Sequence, residues 1–287
     1  MALSNSAMLI ALNLTQWSAR KLDREASNEL CESKDATRGS GNFNKILIPK
    51  VHLQPIQRMV NTIRNYHYST TLPWEQSGAD ILPSRMYMGY MQEMGNLEIQ
   101  FNELVDEFCT DYPIIIGQVQ QQLGNLYRES DYPNVDYIRS KFSMKLDVTP
   151  IPNVSDFRID LEHAEVEKIK ANLGDRLQAA NNAAEQELFA RLYTATAKAV
   201  ITLKEPGKIF RNTLILNILE LSRKVPDMNI NDNSDLNHLA KSLTTFCEHV
   251  DIANLRDINQ LDYRLASGKS VEKILEDIEA AYNQSIG

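Results

Sequence analysis

The chain has 287 residues, 43% hydrophobic and 24% charged, with three cysteines and a formal net charge of −8 at pH 7. Those fractions describe a soluble globular protein of one large or two modest domains, and no apolar run approaches the roughly 18 residues of a membrane span. The negative balance excludes a generic nucleic-acid coat. Cys31, Cys109 and Cys247 are far apart and odd in number, which supports neither a zinc knuckle nor a disulfide framework; reduced, buried thiols in a cytoplasm are expected.

Charge is unevenly spread. Residues 1–70 hold nine Lys/Arg and five Asp/Glu, a balance of +4, and residues 71–136 hold two against eleven, a balance of −9. A basic front and an acidic middle attract each other within one molecule or between neighbours, or they form separate solvated faces.

The start, MALSNSAMLIALNLTQW, has an apolar core of signal-peptide length. It lacks a basic leader and a small-residue cleavage site, so it reads as part of the fold. Ile10, Leu12 and Leu14 alternate with Ala11, Asn13 and Thr15, a weak strand signal. Ala19, Leu22, Ala26 and Leu30 then step by three and four, predicting a helix to about Lys34. KDATRGSGNFN follows as a loop. The next helix carries Val51, Ile56, Val60 and Ile63, with Pro49 and Pro55 near its start. YHYSTTLPWEQSGADILP, residues 66–83, reads as a second loop.

A long helix is predicted from near Pro83 to about residue 128. Tyr87, Tyr90, Met94, Leu97, Phe101, Leu104 and Phe108 share one face. Asp111-Tyr112-Pro113 is expected to interrupt it, with a second segment through Ile116, Val119, Leu123 and Leu126. KFSMKLDVTPIPNVSDFRIDL, residues 141–161, breaks the helical rhythm. Phe142, Met144, Leu146 and Val148 alternate with polar residues, and Phe157, Ile159 and Leu161 do so again. The spacing predicts an antiparallel hairpin of 141–149 with 155–161, turned at TPIPNVS. An isolated hairpin is marginal in water, so 9–15 is expected to add a third strand.

Val166, Ile169, Leu173, Leu177, Ala180, Ala184, Leu188 and Leu192 predict another long helix over 162–204. With the earlier one it is expected to form an antiparallel coiled-coil arm. Glu205-Pro206-Gly207 then marks a boundary between a domain over 1–205 and a small helical bundle over 206–287, with helices near 208–224, 233–249, 251–265 and 269–283. The fold class is therefore mainly α with a small antiparallel β element.

Enzyme signatures fail on spacing. Ser267-Gly268-Lys269-Ser270 resembles the end of a phosphate-binding loop, but Tyr263 stands where that motif needs glycine. Asp227, Asn229 and Asn231 imitate a calcium loop, but Asp232 replaces its glycine and His238 its glutamate. His52, His67, His163, His238 and His249 form no metal-binding pair, and Glu162-His163-Ala164-Glu165 reads as an acidic helix start. No catalytic, cofactor or metal site is assigned. The candidate nucleic-acid contacts are Arg139, Lys141, Lys145 and Arg158 on the polar face of the hairpin. Tyr66, Tyr68 and Trp74 are added as stacking aromatics. Asp147, Asp156 and Asp160 dilute that basic face.

ALNLTQWSARKLD, YHYSTTLPW, ILPSRMYMGYM, DYP…IRSKFSMKLDVTPIP and DFRID, in this order, resemble a family of bacteriophage and mobile-element proteins known only as a domain of unknown function. The resemblance covers about residues 1–200. It implies a host bacterial cytoplasm and a gene neighbourhood of DNA metabolism, including MoxR-type AAA+ ATPases with von Willebrand A partners. It supplies no catalytic residue. The leading expectation is a non-enzymatic scaffold or adaptor that self-assembles into a homo-oligomer or partners such an ATPase. The alternative is a protein that binds or anneals single-stranded DNA. No membrane partner is expected.

Overall fold

A computed structural model of the chain describes residues 3–74, 78–154, 163–205 and 207–286. A short helical turn α1 (Leu3–Ser6) leads into strand β1 (Ala7–Thr15), where Ile10 of the alternating set is buried, Leu12 and Leu14 are half-buried, and Leu9 of the opposite set is buried as well. The predicted helix from Ala19 is replaced at its start by strand β2 (Arg20–Asp23); helix α2 (Arg24–Glu32) begins only after it. Two local features decide this. Ala19 has φ of 49°, a left-handed conformation no helix passes through. Asp23 accepts a hydrogen bond from the Ala26 N–H, which caps α2. Leu22 and Leu30, counted as a buried helical stripe, are both exposed.

Strand β3 (Phe43–Ile46) ends the predicted loop and pairs antiparallel with β2, Arg20 opposite Ile46 and Asp23 opposite Phe43. Helix α3 (Lys50–Thr70) follows and carries Pro55 in its second turn. It runs through Tyr66, His67 and Tyr68, where the sequence suggested a loop. Ile63, His67 and Thr70 continue its buried face at spacings of four and three. The remainder of the expected loop contains strands β4 (Leu72–Pro73) and β5 (Asp80–Pro83).

A 3-10 turn at Ser84–Met86 enters helix α4 (Tyr87–Leu123), 37 residues without the interruption expected at Asp111-Tyr112-Pro113. Pro113 removes one backbone donor, but it lies on the exposed face. Phe108, Tyr112, Ile115 and Val119 carry the buried stripe straight past it. Short helix α5 (Val135–Arg139), capped by Asn134, precedes strand β6 (Ser143–Pro150). Phe142 and Met144 are buried as predicted, Leu146 is half-buried, and Val148 is exposed. β6 lies beside β1 in a four-stranded sheet of order β4-β5-β1-β6, so the N-terminal strand does join the β island. The other arm of the proposed hairpin, with Phe157, Arg158 and Ile159, lies outside the described residues.

Helix α6 (His163–Lys204) spans 42 residues. It is followed by α7 (Thr213–Met228), α8 (Ser234–His249), the short α9 (Ile252–Arg256) and α10 (Leu261–Ile286). Two helices expected over 251–265 and 269–283 thus become one short and one long helix, with Ser267-Gly268-Lys269-Ser270 inside α10.

The chain forms two compact units. The first comprises residues 1–11, 68–90 and 147–287, and its core is built from one face of α6 (Ala184, Leu188, Leu192, Leu203) with the apolar faces of α7, α8 and α10. α10 runs antiparallel along α6: Gly268 meets Leu203 and Lys204, and Tyr282 meets Phe189 with ring centroids 6.2 Å apart. From Ala184 to Leu203 the apolar face of α6 is buried in this core, while Val166, Ile169 and Leu173, the start of the stripe the sequence offered to a coiled-coil arm, are only half-buried. The turn after Lys204 joins helices of one compact unit, where the sequence placed a boundary between 1–205 and 206–287.

The second unit comprises residues 12–67 and 91–146. Its core sets Ile56, Val60 and Ile63 of α3 and Met94, Phe101 and Phe108 of α4 in the interior. Trp17, Phe108, Tyr112 and Phe142 make a ring cluster with centroids 5.9 to 6.4 Å apart.

Candidate functional site

Two features of the second unit combine buried chemistry with access to solvent. The first is an ionic centre on the β2–β3 ribbon. Lys45 points inward from β3 and is 2% exposed. Its ammonium lies 2.5 Å from Asp131 Oδ2 and 3.3 Å from Asp23 Oδ2, and donates to the Leu126 carbonyl at 2.8 Å. Lys21 reaches the other oxygen of Asp131 at 2.6 Å, and Arg128 pairs with Glu25. A cleft of about 630 Å³ opens beside this network. The pKa of Asp23 is lowered, chiefly by the Ala26 N–H and then, against burial, by Lys45. Burial pushes Asp131 up, but hydrogen bonds from Lys21 and Lys45 outweigh it, and the net direction is down. Both carboxylates are thus held ionised around a cation that donates to Asp23 and the Leu126 carbonyl and is ion-paired with Asp131. That arrangement fastens the ribbon to the 126–131 segment.

The second feature is a groove of about 720 Å³. Its floor is Trp17, Ile48, Ile56 and Phe142, of which Ile48, Ile56 and Phe142 are buried and Trp17 is half-buried. Arg20 on β2 and Lys50, the first residue of α3, stand on its rim with the amides of Gln16, Gln54 and Gln57. Among the described residues, no carboxylate lines it. This is the form of a ligand pocket: apolar walls with few polar groups converging on them.

Of the basic residues selected from the sequence, two have local partners. Arg139 is in an ion pair with Asp106. The Lys141 ammonium sits over the Tyr137 ring, 4.3 Å from its centroid. Lys145 is exposed on β6, and Arg158 lies outside the described residues. Tyr66 and Tyr68 are on α3, half-buried and exposed respectively, two residues apart and so on different faces. Trp74 is half-buried and packs against the core of the first unit.

The motif-like stretches have structural roles. Gly268 of the phosphate-loop look-alike lies where a Cβ would come within 2.9 Å of Lys204 Cγ, so it permits α10 to close on α6. In the calcium-loop look-alike, Asn229 holds the α7–α8 turn through Asn233 and Asn237, and Asn231 and Asn233 donate to Glu185 of α6. The side chains of Glu162 and His163 lie outside the described residues. Among the described residues, no group of three or more His, Cys, Asp or Glu is placed to hold a metal, and no helix is long and apolar enough to cross a membrane.

Sequence reasoning missed Lys45, Asp23, Asp131 and the groove. Lys45 stands between a polar loop and the run Ile46-Leu47-Ile48, and its two aspartates lie 22 and 86 residues away in the chain. The groove joins residues 16–20, 46–57 and 142, which no local spacing connects. Compared with models of known protein families, with curated proteins and with solved structures, the chain matches none.

Proposed function

We propose that this protein is a non-enzymatic helical scaffold that assembles through copies of itself, using an aliphatic patch on the first unit. One observation carries the reading. The Arg264 guanidinium at the start of α10 donates to the carbonyls of Thr202 and Lys208, which ties α10 to the turn after α6. Close to that anchor along the chain, Ile209, next to Lys208, is 79% exposed, and Ile258 and Leu261, just before Arg264, are exposed as well, Ile258 at 90%. Large aliphatic residues in neighbouring turns lose a favourable transfer to apolar surroundings unless something covers them.

In the setting implied by the phage-family resemblance, an AAA+ ATPase with its von Willebrand A partner is the hetero-partner that would compete for the same patch. Light scattering tests self-assembly directly. The parent chain should exceed the 32.6 kDa of one copy, and a variant with Ile209→Glu and Ile258→Glu should return to it with unchanged helicity. Because the contact is apolar, the assembly should persist at 1 M salt, where the Debye length is about 3 Å. Loosening between about 0.1 M and 1 M would transfer the weight to pairing of the +4 front with the −9 middle. A parent that remains a single copy at every concentration would overturn the reading.

A further inference from the structure

We infer that the groove of the second unit binds an aromatic ring that carries a phosphate, the chemistry of a nucleotide. The proposal is independent of the assembly patch, which belongs to the other unit. Three properties of the groove point to it, and each removes a class of alternatives.

The first is charge. In a chain with 38 Asp and Glu, none among the described residues lines the groove, yet Arg20 and Lys50 both do. Among the described residues neither of these cations has an ion-pair partner, whereas Lys21, Lys45 and Arg128 of the same unit are all paired. The first turn of α3, where Lys50 and Val51 line the groove, carries no acidic residue to offset the partial positive charge there. Two uncompensated cations suit a phosphate better than a single carboxylate, and the arginine fork matches phosphate oxygens.

The second property is the aromatic wall. Trp17 is packed on one side by Phe108 and Tyr112, and its half-buried ring lines the groove beside Phe142. A ring held by its neighbours offers a prepared stacking surface for a base at little entropic cost. The third is the amides. Gln16 and Gln54 make no side-chain hydrogen bond among the described residues, and each offers a donor and an acceptor for the edge of a base. The volume of about 720 Å³ accommodates one nucleotide-sized body.

The same chemistry is presented by a free nucleotide and by a strand of nucleic acid, and the experiment separates them. Trp17 is one of two tryptophans, so Trp74→Phe leaves its fluorescence as a reporter in the groove. Thymidine 5′-monophosphate, a short oligothymidylate, thymidine and octanoate are titrated into that variant. Calorimetry on the parent chain gives a second readout that needs no substitution at Trp74. Quenching by a phosphate ligand is expected, with thymidine weaker by about tenfold or more and Arg20→Ala or Lys50→Ala each weakening the phosphate ligand by about the same factor. Both substituted residues are exposed, so the circular dichroism should not change. Equal affinity for monomer and strand assigns the site to free nucleotide. Tighter binding of the strand, falling with salt, assigns it to nucleic acid. The proposal is overturned if neither phosphate ligand binds by either readout, if octanoate binds as well as they do, or if binding survives Arg20→Ala and Lys50→Ala unchanged.

Discussion

Replacing Lys45 with methionine removes the cation at the centre of the second unit while roughly keeping its volume. At an effective dielectric constant of about 20, contacts of 2.5 Å to Asp131 and 3.3 Å to Asp23 correspond to gross attractions of about 7 and 5 kcal/mol. Desolvation of three nearly buried ions cancels much of this, so the intact network is close to neutral for stability. Removing one partner is different, because Asp23 and Asp131 stay buried without it. The expected loss is about 3–5 kcal/mol, including the Leu126 carbonyl left without its donor. Urea unfolding at pH 7, followed by Trp17 fluorescence in the Trp74→Phe background, should show the midpoint falling by about 2 M for a slope near 2 kcal/mol per molar. Adding Asp131→Asn should recover part of the loss, since the amide oxygen introduced there still accepts from Lys21 without carrying a buried charge. The acid limb gives a second readout. Asp23 and Asp131 have folded pKa values below the unfolded value of 3.8. Their stabilisation is therefore complete above that value and disappears as pH falls through the folded pKa. With Lys45 gone, both carboxylates shift upward and acid unfolding should begin at higher pH. A Lys45→Met variant within about 1 kcal/mol of the parent, with the same acid midpoint, would refute the reasoning.

Gly268→Val should destabilise the first unit by roughly 1–3 kcal/mol in a thermal melt, because its side chain would enter the contact with Leu203 and Lys204. Gly268→Ala should cost less, since about 1 kcal/mol of gained helix propensity offsets part of the clash. Burial pushes the phenols of Tyr112 and Tyr132 up to about 12, so an alkaline absorbance titration should retain a late step there, diminished in Tyr112→Phe; the absence of any late step would show that water reaches these rings. Burial also raises the Cys109 thiol and pushes Cys247 up to about 12, and all three cysteines are free and buried. A thiol reagent at pH 8 should therefore label them only in denaturant, and rapid labelling of the native chain would contradict their burial.

The sequence by itself determined the elements whose pattern is long and repeats. Val166 to Leu192 stepped by three and four over many turns, and α6 begins and ends within a residue of the expected bounds. The alternation at 142–146 and 10–14 likewise marked β6 and β1, because a one-residue slip would turn an entire apolar set outward. Short patterns were less secure. Ala19, Leu22, Ala26 and Leu30 matched a helix by spacing, yet a positive φ at Ala19 and the Asp23 cap gave residues 20–23 to a strand. Asp111-Tyr112-Pro113 looked like a break, but one lost hydrogen bond is small beside a buried stripe that continues past it. Only the tertiary structure decided which helix covers α6, where Lys45 finds its two aspartates, and that Trp17, Arg20, Lys50 and Phe142 share one groove. Periodicity reports which face of an element is buried, not what buries it. Charge pairing and pocket formation depend on residues far apart in the chain, whose proximity is set by packing alone.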